Sequence, residues 1–255
     1  MNLKHLAITA LSLVGLSTGA AFADGFSATL ETPITFGNGT QFSAGGSLNY
    51  SYEVIPNLFA GASLGGAYNF SAGAGALGAR VGVVYVAQLI DAPNTFVNAY
   101  VGAGANALIL PQPFSFAVDA NAGLFARYGI SQGVRVYGGV DGEVGYNFGT
   151  SAFVPAVSGY GGVRFEAIQN LSLYAQGGVG YNSIKAANAS GSSLTTLPFG
   201  NVGVVYDLRA GLYYAIAPQA QIGLYTSYNG SFTVGLTAKF LEKPNTLGIA
   251  GNYLP

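Results

Sequence analysis

Hydrophobic and polar residues alternate with a period of two through most of the chain. In residues 134–148, one set of alternating positions is apolar or glycine, and the other set contains all of the charged residues of the segment. The charged positions are Arg135, Asp141 and Glu143. Because side chains alternate across a β-strand, this pattern predicts strands with one apolar face and one polar face.

Turn-forming residues divide the chain into about twelve such strands. Tight turns are predicted at 55–57, 91–94, 130–133, 168–170 and 217–219, where proline, glycine or asparagine supplies the dihedral angles that a turn needs. Longer or glycine-rich connections alternate with them, at 37–40, 71–75, 110–113, 149–155, 185–198 and 229–230. The predicted strands are 26–36, 41–54, 58–70, 76–90, 95–109, 114–129, 133–148, 156–168, 170–184, 199–216, 219–228 and 231–240.

Composition favours a membrane protein over a soluble one. Charged residues make up 7% of the chain and hydrophobic residues 50%, whereas about a quarter of a typical soluble domain is charged. A net charge of −1, without any run of lysine or arginine, excludes a nucleic-acid partner. The absence of cysteine excludes disulfides and thiolate metal sites.

The first 23 residues have the pattern of a secretory signal peptide. Lys4 precedes an apolar run from Leu6 to about Leu16, and Ala21-Phe22-Ala23 forms an A-x-A cleavage site before Asp24. An N-terminal anchor helix is the alternative, but this run is short for one. No later stretch is apolar over the 18 residues that a spanning helix needs, so any membrane crossing would use a closed barrel.

Aromatic residues indicate which face of the strands points outward. On the apolar face they gather at strand ends, as they do in the two girdles that bracket the lipid-facing band of a membrane barrel. One predicted girdle, on the outer side, contains Phe36, Phe42, Tyr68, Phe70, Phe114, Phe116, Tyr146, Phe148, Tyr181, Tyr228 and Phe232. The other, on the periplasmic side, contains Phe26, Tyr50, Tyr52, Tyr128, Phe165, Tyr214 and Phe240. The alternative is a secreted soluble β-protein with its apolar face inside.

The chain resembles bacterial outer-membrane β-barrel proteins over residues 26–240. The resemblance rests on the signal peptide, the alternating strands, the girdles and a last strand, 231–240, that ends in Phe240. It implies an all-β fold, a transmembrane antiparallel up-and-down barrel of about twelve strands in the lipid bilayer of the outer membrane, with both termini periplasmic. The predicted organisation is a signal peptide at 1–23, a barrel at 24–240 and a periplasmic tail at 241–255, whereas barrels of this class usually end at the aromatic residue.

No motif in the chain completes a catalytic, cofactor or metal site. Gly61-Ala-Ser63-Leu-Gly65 matches the nucleophile-elbow pattern, but the only histidine is His5, inside the signal peptide. Gly73-Ala-Gly75-Ala-Leu-Gly78 matches a dinucleotide pattern without the βαβ context that dinucleotide binding requires. The sequence therefore predicts neither an enzyme nor a bound cofactor.

The charged residues of the polar face are expected to line the lumen at two depths. We predict a basic ring near the periplasmic strand ends, formed by Arg127, Arg135, Arg164, Arg209 and Lys239. We predict an acidic zone at mid-barrel or farther out, formed by Asp119, Asp141, Glu143 and Asp207. Near balance between acids and bases indicates ion pairing in a narrow lumen, and such rings set ion selectivity in a water-filled channel.

Tyrosines and glycines of the polar face are expected to pack together. The lumen tyrosines are Tyr100, Tyr137, Tyr160, Tyr174, Tyr213 and Tyr225, and a tyrosine over a glycine of a neighbouring strand covers bare backbone. As structural elements these rings would narrow the bore, which is the interpretation we favour. As functional elements they could form a stacking track for sugars or other flat solutes.

Two functions follow from these features. The first is a small passive diffusion channel for ions or small solutes, because about twelve strands lie between filled eight-stranded barrels and open sixteen-stranded porins. The second is a structural or docking barrel whose lumen is closed by ion pairs and tyrosines, and whose tail, 241–255, binds an envelope protein.

Overall fold

A computed structural model describes residues 25–37, 39–110, 114–182, 203–217 and 220–241 of the 255-residue chain. The predicted signal peptide, the long connection at 185–198 and the tail after Leu241 lie outside the described residues. In the described part of the chain, no helix is long and apolar enough to span a membrane.

The described residues form a closed antiparallel barrel of twelve strands. Each strand pairs with its neighbours in the chain, and the first pairs with the last, so the connectivity is up-and-down. The strands are β1 (Gly25–Gly37), β2 (Gly39–Ile55), β3 (Leu58–Asn69), β4 (Ala74–Ala92), β5 (Thr95–Leu110), β6 (Ser115–Ser131), β7 (Val134–Asn147), β8 (Ala152–Ile168), β9 (Leu171–Tyr181), β10 (Val204–Ala217), β11 (Ala220–Tyr228) and β12 (Phe232–Leu241). The predicted all-β barrel is confirmed.

The two ends of the barrel differ in their connections. At one end, called the turn end here, two residues join each pair of strands, and β1 begins and β12 ends there. Asn57 and Asn170 have φ of 69° in two of these turns, and Gly133 has φ of 87° in a third, which is the left-handed region where asparagine and glycine are tolerated. The opposite end, the loop end, has connections of three or more residues, except that a single residue separates β1 from β2. The predicted alternation of tight turns with glycine-rich or longer connections is confirmed.

Two prolines lie inside strands at places where the hydrogen-bond ladder is interrupted. We predicted a connection at 149–155, but β8 already begins at Ala152 and includes Pro155. On its β7 side Pro155 faces Val144, whereas the described pairing of β8 with β9 extends only to Val157 and Tyr181. A proline is tolerated there because its missing N–H does not break a ladder. Pro33 lies at a similar gap, between Glu31 and Ile34 in the pairing of β1 with β2.

The apolar face of the strands points away from the barrel. Large hydrophobic side chains of this face are exposed to the surroundings, for example Val140 at 53% and Leu236 at 62%. The charged face is buried instead, with Asp119, Asp141 and Lys239 each below 9%. The chain is therefore apolar outside and polar inside, the reverse of a soluble barrel.

Aromatic side chains of the outer surface lie at both barrel ends, and at the loop end they touch one another. Phe42 and Phe70 have ring centroids 5.3 Å apart, and Phe116 and Phe148 are 5.4 Å apart. Tyr146 lies 4.9 Å from Phe148. At the turn end, Tyr50, Tyr52, Tyr128, Phe165 and Tyr214 are exposed on the outer surface; the side chain of Phe26 lies outside the described set.

Candidate pore lining

Each of the six predicted lumen tyrosines packs over a glycine of a neighbouring strand. The pairs are Tyr100 with Gly123, Tyr137 with Gly162, Tyr160 with Gly139, Tyr174 with Gly211, Tyr213 with Gly223, and Tyr225 with Gly235. A Cβ atom added at Gly162 would lie 2.6 Å from Tyr137 Oη, and one added at Gly211 would lie 2.9 Å from Tyr174 Cε1. Only glycine leaves room for these rings to lie along the wall.

Charged and amide side chains also lie along the inner wall. One of them crosses the adjacent strand and contacts a residue on the strand after it. Arg80 on β4 passes over Gly104 on β5 and reaches Asp119 on β6, with Nη2 2.6 Å from Oδ1. Asn106 of β5 completes the group, since its Oδ1 accepts from Arg80 Nη1 at 3.1 Å and its Nδ2 donates to Asp119 Oδ2 at 2.6 Å. All three residues are buried. The predicted acidic residue Asp119 is therefore ion-paired within the wall.

Two tyrosine hydroxyls make similar hydrogen bonds across an intervening strand. Tyr100 Oη on β5 donates to Asp141 on β7. Tyr137 Oη on β7 donates to Gln176 Oε1 on β9 at 2.8 Å. These bonds hold the rings flat over the glycines between the two strands.

A second group of side chains meets at the seam where β12 pairs with β1. Arg209 of β10 lies over the ring of Tyr225, with Cζ 3.6 Å from the ring centroid, and its Nη2 is 3.7 Å from Glu31 Oε1 on β1. Tyr225 Oη on β11 lies 3.5 Å from Glu31 Oε2. Both side chains therefore extend over β12 to reach β1. We call Arg209, Tyr225 and Glu31 the seam group.

Lys239 and two tyrosines lie beside the seam group. Lys239 is buried, and its Nζ lies 4.6 Å from the centroid of the Tyr213 ring, within the range of a cation–π interaction. Tyr174 stacks on Tyr213 with centroids 5.1 Å apart and an interplanar angle of 15°. Arg209 and Lys239 therefore share an aromatic, buried environment.

The five bases of the predicted ring occupy two different environments. Arg127, Arg135 and Arg164 lie near the turn-end limits of the neighbouring strands β6, β7 and β8. Arg135 is half-exposed and pairs with Glu166 at 3.4 Å, and Arg164 Nη2 donates to Ser172 Oγ at 2.8 Å. Arg209 is instead near the middle of β10.

The four predicted acids are buried on the inner face. Asp119 and Asp141 make the contacts described above, and Glu143 lies two residues beyond Asp141 on β7. Asp207 lies on β10, two residues nearer the loop end than Arg209. Among the described residues, no group of three or more histidine, cysteine, aspartate or glutamate side chains is arranged to hold a metal ion.

Sequence reasoning counted Glu31 and Arg80 among the inward charges that form ion pairs but named no partner for either. It did not single out Asn106, although the structure places all three in polar contact groups. Alternation alone predicts that Arg80 and Glu31 face inward. Their partners lie 39 and 178–194 residues away along the chain. Only the register between strands brings them together, and the sequence pattern carries no signal for that register.

No protein-family model matches the sequence, and neither does any curated protein. Solved structures with a similar fold include an outer-membrane channel from Pseudomonas putida F1, which is 10% identical, with a TM-score of 0.51 over 85% of this chain and 95% of that one. The NanC porin is 9% identical, with a TM-score of 0.50 over 84% of this chain and 98% of that one. The outer membrane phospholipase A of Escherichia coli is 11% identical, with a TM-score of 0.49 over 84% and 89%.

The protein has the fold of bacterial outer-membrane β-barrels. In a closed barrel every strand pairs with two neighbours, so the backbone N–H and C=O groups have hydrogen-bond partners within the lipid. The apolar exterior and the fold place the chain in the outer membrane, as the sequence predicted. A fold of this kind supports different activities, so the function is argued from the lining of the lumen.

Proposed function

We propose that this protein is a passive diffusion channel for ions or small solutes, with its turn end in the periplasm. The observation that carries the proposal is the orientation of the inner side chains, which lie along the wall over glycines. The contacts among Arg80, Asp119, Tyr100, Asp141, Tyr137 and Gln176 all join strands that are next but one to each other. In the proposed channel, side chains held in this way line the solute path along the axis of the barrel.

The number of strands supports the same function. Barrels of about eight strands are just wide enough for side chains to fill, whereas those with about 16–18 strands leave an aqueous channel. Twelve strands, with tyrosines and arginines flat against the wall, are consistent with a narrow pore. Polar groups along its wall replace part of the hydration shell of a passing solute.

Charge selection is the finer part of the proposal. The bases Arg127, Arg135 and Arg164 act at the periplasmic mouth, and the acids Asp141, Glu143 and Asp207 act deeper, toward the loop end. Charged rings in a pore bias the passage of ions of opposite sign.

Conductance of the purified full-length protein in planar bilayers tests the proposal. We expect discrete current steps, and under a salt gradient we expect a reversal potential that moves toward cation preference when Arg127 and Arg135 are both changed to glutamine. A folded, inserted protein that gives no current steps would contradict the channel and favour the docking barrel. Insertion is verified independently, by the change in gel mobility on heating and by β-sheet circular dichroism.

A further inference from the structure

A cavity opens at the turn end, beside the wall formed by β8 to β11, and it has a volume of about 490 Å³. Its rim is made by two short turns, through Gln132 and Gly133 on one side and Gln169 and Asn170 on the other. Its floor includes Arg164, Ser172, Tyr213 and Gln221. This volume falls in the range of about 300–1,000 Å³ that is usual for small-molecule sites.

The rim is held in place by backbone hydrogen bonds. The Glu166 N–H donates to Gly133 O at 2.7 Å, and the Ala215 N–H donates to Asn170 O at 2.8 Å. Each turn is therefore fastened to the strand beside it. Because the rim is held in place, the cavity is pre-formed, and binding of a ligand would cost little conformational entropy.

The charges around this cavity favour an anion. Arg135 and Arg164 are directly opposite each other in the pairing of β7 with β8, and like charges in such a pair destabilise a sheet. Among the described residues, the charged side chains that line the cavity are Arg164 and Glu166. Arg135 lies beside the cavity and pairs with Glu166, so two guanidinium groups surround one carboxylate. Lys239, next to Tyr213, lies behind the floor, beside Arg209 and Glu31 of the seam group, so bases outnumber acids there as well.

The other acids near the turn end are far from this cavity. Glu53 and Asp91 lie on β2 and β4, on the opposite side of the barrel from β8 to β11. Glu53 Oε1 accepts a hydrogen bond from the backbone N–H of Asn57 at 2.8 Å. The cavity is therefore on the positive side of the mouth.

The neutral side chains of the cavity indicate which uncharged groups a bound anion would carry. Three glutamine amides, the Ser172 hydroxyl and the Tyr213 hydroxyl offer donors and acceptors, and Ile168, Leu171 and Ala215 add small apolar surfaces. Such a set fits a carboxylate that carries several hydroxyl groups. We infer that this cavity is a binding site for a small hydroxylated organic anion, whose carboxylate lies against Arg164.

This site deepens the proposed channel, because it gives the solute path a binding step at its periplasmic mouth. The test uses gluconate as the probe, with sorbitol as a neutral control of the same chain length. Binding to the full-length protein in detergent is followed by saturation-transfer NMR, and block of the chloride current is followed in planar bilayers, with the probe added to each side in turn.

We expect gluconate, and not sorbitol, to bind and to block from one side. Arg164→Gln should weaken binding by about tenfold or more, since a hydrogen bond to a charged group is worth about 1.5–3 kcal/mol. The matched control is Arg127→Gln, which removes the same charge at the same end but does not line the cavity.

Three results would overturn the site. They are an absence of gluconate binding, an unchanged affinity in Arg164→Gln, and an equal loss in Arg127→Gln, which would indicate general surface charge. Binding that depends on Arg164 in a protein without current steps would support the site and contradict the channel. Current steps without gluconate binding would support the channel and contradict the site.

Discussion

Glycine in this barrel is required by the side chains of neighbouring strands. At Gly223, an added Cβ would lie 2.6 Å from Tyr213 Cδ1 and 2.7 Å from the backbone oxygen of Leu212. Contacts this short force the ring or the strand to move. Since the ring covers the wall, the direction open to it is the lumen.

Gly223→Ala is therefore expected to destabilise the barrel by about 1–3 kcal/mol, the usual effect of overpacking, and to lower the single-channel conductance. Denaturant titration of the refolded protein and bilayer recording measure the two effects. Gly142→Ala is the matched control, since on the lipid-facing side its Cβ would come no nearer than 3.9 Å to Ala122 O. Equal behaviour of the two variants would contradict the packing argument.

Two ion pairs of the inner face, Arg80–Asp119 and Arg135–Glu166, should differ in energy because they differ in burial. Removing one partner of a buried pair costs about 3–5 kcal/mol, so Asp119→Asn, which leaves Arg80 buried without its counter-charge, should have an effect of that size. Glu166→Gln should cost at most about 1 kcal/mol, because exposed pairs are worth about 0–1 kcal/mol, and both side chains of the Arg135–Glu166 pair are 43% exposed. The midpoints of urea unfolding would measure both, and a larger effect at Glu166 would refute this ranking.

The sequence predicted the environment of such residues better than their partners. Alternation showed that Asp119 faces inward, because that depends only on the strand period. Its pairing with Arg80 depends on the register of three strands, and a shift of two residues would keep every side chain on its face while changing its partners. The contact of Arg209 with Glu31 was unpredictable for the same reason, and Arg209 lies near the middle of β10, not at the mouth where the sequence grouped it.

At the scale of single strands and turns, turn chemistry was the most informative sequence signal. Proline, asparagine or glycine marked all five turn-end connections in the sequence. In three of the described turns the φ value is left-handed, at Asn57, Gly133 and Asn170, which these residue types tolerate. Proline was also the source of an error, at Pro155. A proline marks a break in hydrogen bonding, and at a strand edge that break does not end the strand.

The position of a lipid-facing residue along its strand should determine how much a charged substitution there lowers the free energy of unfolding. Leu124 and Ile130 both point outward from β6, at its middle and at its turn end, and both are exposed. Leu124→Arg should cost about 2–4 kcal/mol, and Ile130→Arg about 0–1 kcal/mol, because the penalty falls from the bilayer midplane to the interface. Equilibrium unfolding from lipid vesicles measures both values, and a uniform cost would contradict the proposed position of the membrane.

At the scale of the whole molecule, the described barrel is complete at Leu241, the last residue of β12 that pairs with β1. Ser27 of β1 faces Leu241 of β12, so a chain ending at Leu241 retains every described pair between these strands. Such a truncated chain should insert as well as the full chain, as judged by gel mobility with and without heating. If the tail is a docking segment, the truncation should remove co-purifying envelope proteins while insertion is unchanged, and loss of insertion would assign the tail to assembly.

The fold was predictable from the sequence because three independent patterns agreed. Alternation gave strands, aromatic positions gave the outward face, and sparse charge gave a membrane setting. The cavity at the turn end was not predictable, since its rim and floor combine two turns with β8, β9, β10 and β11. Such a cavity exists only after the strands are in register.

The seam group also bears on how the barrel is assembled. Arg209 and Tyr225 lie on β10 and β11, and their common partner, Glu31, belongs to the first strand. A nascent sheet that has formed all hairpins but has not yet joined its ends would have Glu31 without either partner. The contacts of that one carboxylate therefore distinguish a completed cylinder from an open sheet, and a reporter placed at residue 31 would record the moment of closure.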